Sequence, residues 1–286
     1  MSCKKISLII PTINRITEVD KLLKAISKID YKMLAEIIIV DQNAENILDS
    51  VIEEYSQLYK IIHCKVKFKG AAKARNYGSQ FATGEILGFP DDDSEILPTT
   101  LNIVNEIFEQ YNNITAVFGT VADKTNNINI IHYLKRKAYV NYFNLYNTCI
   151  ECGFFIKKEE FVKIGMFDEN LGIGTYYGSE EGADLFCRLL YQKKKMLYVP
   201  EKFYYHPNKK REDNMEKYYS YGLGTGRLAV KHLKEYKKII PYIYLILKNL
   251  KSNIIILYGK IKKDDYIVKR NQSLKKGRKE AVKNKY

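Results

Sequence analysis

A chain of 286 residues with 46% hydrophobic and 13% aromatic side chains can bury a real core, which excludes a disordered or fibrous polymer. Its formal net charge of +14 lies entirely in one stretch: Arg227 to Tyr286 carries 18 Lys+Arg against 4 Asp+Glu, which leaves 29 of each sign in residues 1 to 226. No recognised nucleic-acid module accompanies that basic stretch, so no nucleic acid is expected as a partner. The five cysteines, Cys3, Cys64, Cys149, Cys152 and Cys187, are odd in number and follow no secretory signal, and they read as reduced thiols in a cytosolic protein. The Cys149 and Cys152 pair lacks the two further ligands that zinc requires. No run reaches the about 18 apolar residues of a membrane span.

Ile6 to Pro11 is an apolar run stopped by proline and predicts a first strand. Thr17 then caps a helix with Val19, Leu22, Leu23 and Ile26 at helical spacing. Glu36 to Asp41 predicts a second buried strand, and Ile47, Val51, Ile52 and Tyr55 mark the helix after it. A third strand, Ile61 to Phe68, leads through Gly70 to a helix over Ala71 to Ala82, and Ile86 to Phe89 forms a fourth strand that ends on Asp91-Asp92-Asp93. Near-continuous Ile/Val/Leu strands alternating with amphipathic helices predict an α/β fold with a mostly parallel sheet and flanking helices. Ligands bind such sheets at the carboxyl ends of the strands, so Thr12 to Arg15, Asp41 to Asn43 and Asp91 to Asp93 are expected to line one crevice.

Adjacent carboxylates repel one another and prefer water, so three in a row at a strand end need compensation. They read either as a solvated turn capping the helix that begins near Pro98, or as ligands for a hard divalent ion shared with substrate phosphates. Downstream, Leu97 to Tyr111 predicts a helix, Ala116 to Gly119 a strand, and Asp123 to Cys149 a loop with a short helix. Gly153 to Ile156 predicts a strand, Lys158 to Ile164 a short helix, and Gly172 to Ser179 a flexible aromatic loop. A helix from Glu180-Glu181 to about Lys193 and a strand from Met196, stopped at Pro200, complete this part.

The ordered set Ile9-Ile10-Pro11-Thr12-Ile13-Asn14-Arg15, Ile39-Val40-Asp41-Gln42, Ala74-Arg75-Asn76-Tyr77-Gly78, Phe89-Pro90-Asp91-Asp92-Asp93, Phe167-Asp168-Glu169, Glu180-Glu181 with Asp184, Leu185 and Arg188, and Tyr205-His206-Pro207 resembles the family 2 glycosyltransferases of the GT-A fold. The resemblance covers residues 6 to about 207 and implies a Rossmann-like catalytic domain over 1–226. Its nucleotide-sugar half would be about 1–122 and its acceptor half about 123–226, with a basic, amphipathic helical extension over 227–286. It implies that Asp41 faces the nucleobase, where a carboxylate accepts the N3–H of uracil or thymine, so the donor would be a UDP- or dTDP-sugar. Pro11, Thr12 and Arg15 would flank base and ribose, with Lys73, Arg75, Asn76, Asp91 and Asp92 also on the donor. Asp93, with Asp91 and His206, would hold Mn²⁺ or Mg²⁺; a histidine before proline also reads as structural.

Inverting transfer needs a carboxylate that deprotonates the acceptor hydroxyl. The resemblance gives that role to Glu181, with Glu180 as the alternative, because the family's Glu-Asp pair is here Glu180-Glu181 followed by Gly182. It implies a saccharide acceptor, carried on a polyprenyl diphosphate, in bacterial cell-surface polysaccharide biosynthesis. A noncatalytic nucleotide-sugar-binding or scaffolding protein that keeps the fold is the alternative. A dinucleotide-binding oxidoreductase is disfavoured, since no Gly-x-Gly-x-x-Gly follows the first strand.

In the basic stretch, Tyr218 to Tyr236 predicts a helix interrupted around Gly222, Gly224 and Gly226. Ile239 to Leu247 and Ile254 to Tyr258 are apolar, too short to span and bordered by lysines, the composition of an interfacial helix on the inner face of the cytoplasmic membrane. The alternatives are packing on the catalytic domain or pairing in a homo-oligomer.

Overall fold

The structure, a computed structural model, describes residues 4–208, 211 and 213–284. Its contacts divide the chain into two compact units, residues 1–167 with 185–208, and residues 168–184 with 209–286. Among the described residues, the strands of the first unit are β1 (Ile6–Thr12), β2 (Leu34–Asp41), β3 (Ile61–Lys65), β4 (Ile86–Gly88), β5 (Glu95–Ile96), β6 (Ile114–Ala122), β7 (Ala138–Tyr139), β8 (Phe154–Lys157) and β9 (Lys195–Tyr205). They form one sheet in the order β3-β2-β1-β4-β8-β6-β9-β5, with β7 on β9.

The four strands read first are parallel: β1 lies between β2 and β4, and β3 flanks β2. Beyond them the sheet is mixed, because β8 runs antiparallel to both β4 and β6. Phe154, Phe155 and Ile156 of β8 are fully buried, and a strand covered on both faces is apolar throughout in either direction. The apolar run therefore reports burial, not polarity of the chain. Helices α1 (Ile16–Ile26), α2 (Asp49–Ser56), α3 (Ala71–Ser79), α4 (Thr100–Gln110) and α5 (Lys158–Lys163) flank the sheet. Val19, Leu22, Leu23 and Ile26 of α1 are buried as their spacing requires. Asp123 to Cys149 is mostly loop, as expected, with β7 and a single 3₁₀ turn at Leu145–Asn147.

β9 does not stop at Pro200. Its register with β6 shifts between Tyr198, opposite Phe118, and Lys202, opposite Thr120, so the proline falls in a bulge where the ladder is already irregular. The strand then runs on to Tyr205, and His206 N donates to Ala122 O at 2.9 Å. Helix α6 (Glu181–Tyr191) supplies Leu185, Phe186 and Leu189 to the buried apolar set.

The second unit contains α7 (Met215–Lys234), α8 (Ile240–Ile261) and α9 (Asp265–Lys283). The expected interruption of α7 at its glycines does not occur. An added Cβ at Gly222 would lie 2.2 Å from Leu274 O, and one at Gly277 of α9 would lie 2.1 Å from Tyr219 O. The glycines thus let two helix backbones touch, a role that a sequence without its partner helix presents as a break. The two apolar stretches also join, because Lys248 to Asn253 continue the helical turns between them. The result, α8, is 22 residues long and contains an 18-residue window of mean hydropathy 1.2, which by length and composition alone is enough to cross a membrane, contrary to the expectation of two short stretches. Cys64, Cys149, Cys152 and Cys187 are free thiols, and burial pushes those of Cys149 and Cys152 well up, which disfavours their thiolates. Cys3 lies outside the described residues.

Candidate active site

The carboxyl ends of β1, β2 and β3 are aligned by register, Thr12 opposite Asp41 and Asp41 opposite Lys65. Side chains stitch the loops that follow. Asn14, in the left-handed region at φ 57, donates its backbone N–H to Asn43 Oδ1 at 2.6 Å, and Gln42 Oε1 accepts from Gly70 N at 2.8 Å. Gly70 opens α3, so the loop after β2 fixes the start of the helix that carries Lys73, Arg75 and Asn76.

Asp41 is fully buried. Its Oδ1 accepts from Asn43 N (2.8 Å) and Nδ2 (2.6 Å), Oδ2 faces His63 Nε2 at 3.0 Å, and Lys65 Nζ stands 4.0 Å away. These contacts compensate a carboxylate that burial alone would disfavour. His63 was not singled out by sequence. The signal was present, since a residue two before Asp41's partner Lys65 on a neighbouring parallel strand shares its face, but it becomes usable only once the β2–β3 register is known.

The three acids leave β4 above a packed aromatic floor in which Phe89 contacts Phe154, Phe161 and Phe167 at ring separations of 5.4, 5.1 and 5.3 Å. Ser94 closes their turn on Asp91 O through its N (3.0 Å) and Oγ (2.7 Å). Arg15 Nη1 reaches Asp92 Oδ1 at 3.2 Å and also pairs with Asp93. Arg75 Nη2 donates to Asp91 Oδ1 at 2.7 Å with its guanidinium 5.7 Å from the Phe167 ring centroid. His206 Nε2 lies 3.0 Å from Asp93 Oδ1 and 3.7 Å from Asp91 Oδ2. Its Nδ1 lies 2.9 Å from Pro207 O, which can only accept, so Nδ1 carries a proton and Nε2 is the nitrogen turned to the acids.

Environment sets Asp92 and Asp93 apart. Burial raises that of Asp92 to about 6, outweighing Arg15. Burial also opposes charge on Asp93, but hydrogen bonds from His206 and Arg15 hold it well below the usual carboxylate range. For His206, burial works against the proton, and Asp93 followed by Asp91 more than restores it. One ligand atom each from Asp91, Asp93 and His206 lies within 4.8 Å of the others. Two hard oxygens and an imidazole nitrogen already oriented by a carbonyl make a donor set that suits Mn²⁺ or Mg²⁺.

The first unit therefore brings together Thr12, Arg15, Asp91, Asp92, Asp93, Arg75 and His206. Pro11 is buried in β1 opposite Val40. Lys73 is exposed, its Nζ 4.7 Å over the Phe68 ring. Asn76 has its amide on the backbone of Phe167, accepting from N at 3.0 Å and donating to O at 2.9 Å, which fixes the ring under Arg75.

In the second unit, Glu180 adopts φ 73 and its Oε1 accepts from Lys248 Nζ at 2.7 Å and Thr225 Oγ1 at 2.8 Å. Glu181, the first residue of α6, is 6% exposed and packs against Gly172, where an added Cβ would lie 2.7 Å from Glu181 Cδ. One turn on, buried Asp184 accepts from Lys231 Nζ at 2.6 Å and faces His232 Nε2 at 2.9 Å, and Lys231 also donates to Asp168 at 2.7 Å. Lys248 and Lys231 had no signal in the sequence, because each pairs with an acid more than 45 positions away.

Known proteins resemble the chain in sequence and in fold. The model of glycosyl transferase family 2 matches residues 7–166. Over 243 residues the chain is 26% identical to the minor teichoic acid biosynthesis protein GgaB of Bacillus subtilis, a match covering 77% of this chain and 26% of that protein. Over 217 residues it is 26% identical to the GalNAc(5)-diNAcBac-PP-undecaprenol beta-1,3-glucosyltransferase of Campylobacter jejuni, covering 70% and 63% of the two chains. The chain thus spans about a quarter of the first relative and under two thirds of the second. Among solved structures, S. aureus TarS 1-349 in complex with UDP-GlcNAc aligns with a TM-score of 0.61 at 15% identity, covering 99% of this chain and 93% of that one. The mannosyltransferase PcManGT of Pyrobaculum calidifontis in complex with GDP-Man and Mn²⁺ aligns at 0.67 and 14%, covering 100% and 89%. At such identities these neighbours establish the fold, which is GT-A. With more than half of its length matched by the family model, and the acids of that match gathered at the strand ends, the chain belongs to glycosyl transferase family 2.

Proposed function

We propose that this family 2 glycosyltransferase is inverting and divalent-metal-dependent, and moves a sugar from a UDP- or dTDP-sugar to a saccharide acceptor carried on a lipid diphosphate in cell-surface polysaccharide biosynthesis. The observation that carries the reading is the convergence of Asp91, Asp93 and His206 at the end of β4. When bound there, Mn²⁺ or Mg²⁺ would supply Lewis-acid neutralisation of the departing diphosphate. Arg15 and Arg75 hold the acids in place and add positive charge on the side where that diphosphate would lie. Each carboxylate oxygen has two acceptor sites. Asp41 Oδ1 is filled by Asn43, and Oδ2 has one site left beyond His63, which suits the single N3–H of uracil or thymine.

Glu181 is the proposed base, taking the acceptor's hydroxyl proton as its oxygen attacks the anomeric carbon opposite the leaving diphosphate. Glu180, whose carboxylate accepts from Lys248 and Thr225, is the alternative. The names of relatives support substrate class: GgaB is a teichoic acid protein and the Campylobacter enzyme works on an undecaprenol-linked glycan. UDP-GlcNAc in TarS and Mn²⁺ in PcManGT support donor and ion.

Residues 1–226 are proposed as the catalytic part and 227–286 as an extension that meets the inner membrane surface. Ile243, Leu247, Leu250, Ile254, Leu257 and Ile261 recur at alternating steps of four and three along α8 and are 45–71% exposed. Lys248 and Lys251 sit near its middle, where each would cost about 2.5–3.5 kcal/mol in a spanning helix, so a surface-lying helix is favoured. The test is transfer from UDP- and dTDP-sugars to a polyprenyl-diphosphate-linked acceptor, with and without Mn²⁺. Transfer that survives excess chelator would reject the metal role, and Asp93→Ala is expected to abolish it.

A further inference from the structure

A groove of ≈ 790 Å³ runs between α8 and α9 within the second unit. Leu245, Ile246 and Ile256 make one side apolar, while Lys275, Arg278 and Lys279 make the other cationic, and among the described residues no carboxylate lines it. Arg278 is the unusual member. It is 6% exposed, its Nη1 donates to Ser252 Oγ at 2.9 Å and Lys248 O at 3.1 Å, and its buried Nε has no hydrogen-bond partner among the described residues. Its hydrogen-bond partners among the described residues, Ser252, Lys248 O and Asn249, are all neutral, and burial lowers its pKa with only Glu180 opposing. A buried guanidinium without a counter-anion is costly, and a groove lined by further cations is where an anion would relieve that cost.

The shape narrows the anion. Inorganic phosphate or a nucleic-acid backbone leaves the apolar wall without a partner, and a neutral lipid leaves Lys275, Arg278 and Lys279 without one. An amphiphile matches both sides. Ile246 belongs to the groove and is 49% exposed, so a hydrocarbon chain leaving the groove stays on apolar surface. We infer that the α8–α9 groove binds the phosphate head of an anionic phospholipid, with its acyl chain along Leu245, Ile246 and Ile256. This rests on the membrane-surface reading of α8 for the source of the lipid, and adds a discrete, saturable site to a diffuse electrostatic contact.

The test uses the full chain with phosphatidylcholine vesicles, plain or doped with phosphatidylglycerol. Two charge-matched double variants are compared, Lys279→Glu with Lys283→Glu at the groove and Lys262→Glu with Lys263→Glu away from it, each checked for an unchanged melting temperature. Saturable binding to doped vesicles is expected, weakened roughly tenfold or more by the groove pair and only a few-fold by the control pair. Arg278→Gln, if folded, should match the groove pair. Equal losses in both pairs would reduce the contact to diffuse electrostatics and overturn the site while leaving the surface reading intact. Equal binding to plain and doped vesicles, or full displacement by inorganic phosphate, would overturn the phospholipid assignment.

Discussion

Glu180 and Glu181 adjoin in sequence and sit in different backbone settings. Glu180 sits in a left-handed backbone, φ 73, held by Lys248 and Thr225, whereas Glu181 opens a helix against a glycine whose missing Cβ leaves room for its carboxyl. Glu181→Gln is expected to lower transfer by about 10²–10⁴-fold while nucleotide still binds in the presence of Mn²⁺. Glu180→Gln should leave measurable turnover and chiefly lower thermal stability. Steady-state kinetics with a fluorescent-nucleotide titration separates the two, and the opposite pattern would exchange their roles. Away from the site, the fully buried Glu36 side chain accepts from Ser7 Oγ, Thr83 N and Oγ1, and Lys60 Nζ. Burial pushes its pKa up, but these donors bring it below 4.5 overall. A depressed folded pKa gives stability that is present above the unfolded value and lost as pH falls through the folded one. The melting-temperature advantage of wild type over Glu36→Gln should therefore be full at pH 7 and shrink below pH 4.5; a gap independent of pH would contradict it. The acids of the site were legible from order alone, but their partners were not. Arg15 on Asp93 and His63 on Asp41 depend on strand register, which no local pattern encodes.

Elements were read correctly where one helix or strand decides its own periodicity. β1 and β2 are apolar because both faces are covered, and α1 keeps its stripe toward the sheet. Misreadings fell where a second element supplies the reason. Glycine in a helix interior costs about 1 kcal/mol against alanine, so three glycines in α7 argue for a break until their neighbours are present, α9 against Gly222 and Gly226 and Ser179 against Gly224. Gly277 lets α9 approach Tyr219 O, and Gly226 of α7 faces Arg278 O at 2.7 Å from an added Cβ. The two effects compete in Gly277→Ala. Propensity would stabilise by about 1 kcal/mol, but a Cβ 2.1 Å from a backbone oxygen forces the helices apart, and overpacking costs about 1–3 kcal/mol. Crowding by backbone has no flexible atom to yield, so a net loss is expected, read as a lower midpoint in urea unfolding. A stabilised variant would mean that the helices are farther apart than described.

At the scale of the whole molecule the charge is segregated, with an excess of 14 positive charges in the last 60 residues and balance elsewhere. Segregation of this kind acts on association, not on fold, and its range is set by salt, with a screening length of about 8 Å at physiological ionic strength. The apolar stripe of α8 acts differently, since burial of hydrocarbon is insensitive to moderate salt. If both contribute, binding to anionic vesicles should fall steeply between low and high salt and reach a residual level set by the stripe. Ile254→Asn with Leu257→Asn removes two residues that are 69% and 60% exposed, so folding should be untouched. Each isoleucine or leucine side chain is worth about 1.5–3 kcal/mol when fully buried, so removing two should lower the residual high-salt binding by about two to four orders of magnitude. The salt-dependent part should keep its slope, because no charge has changed. Vesicle sedimentation across a salt series for both proteins measures the two parts together. A double variant that binds like wild type at every salt concentration would show that the stripe meets something other than lipid, and a second copy of the chain would then appear as a concentration-dependent mass in solution.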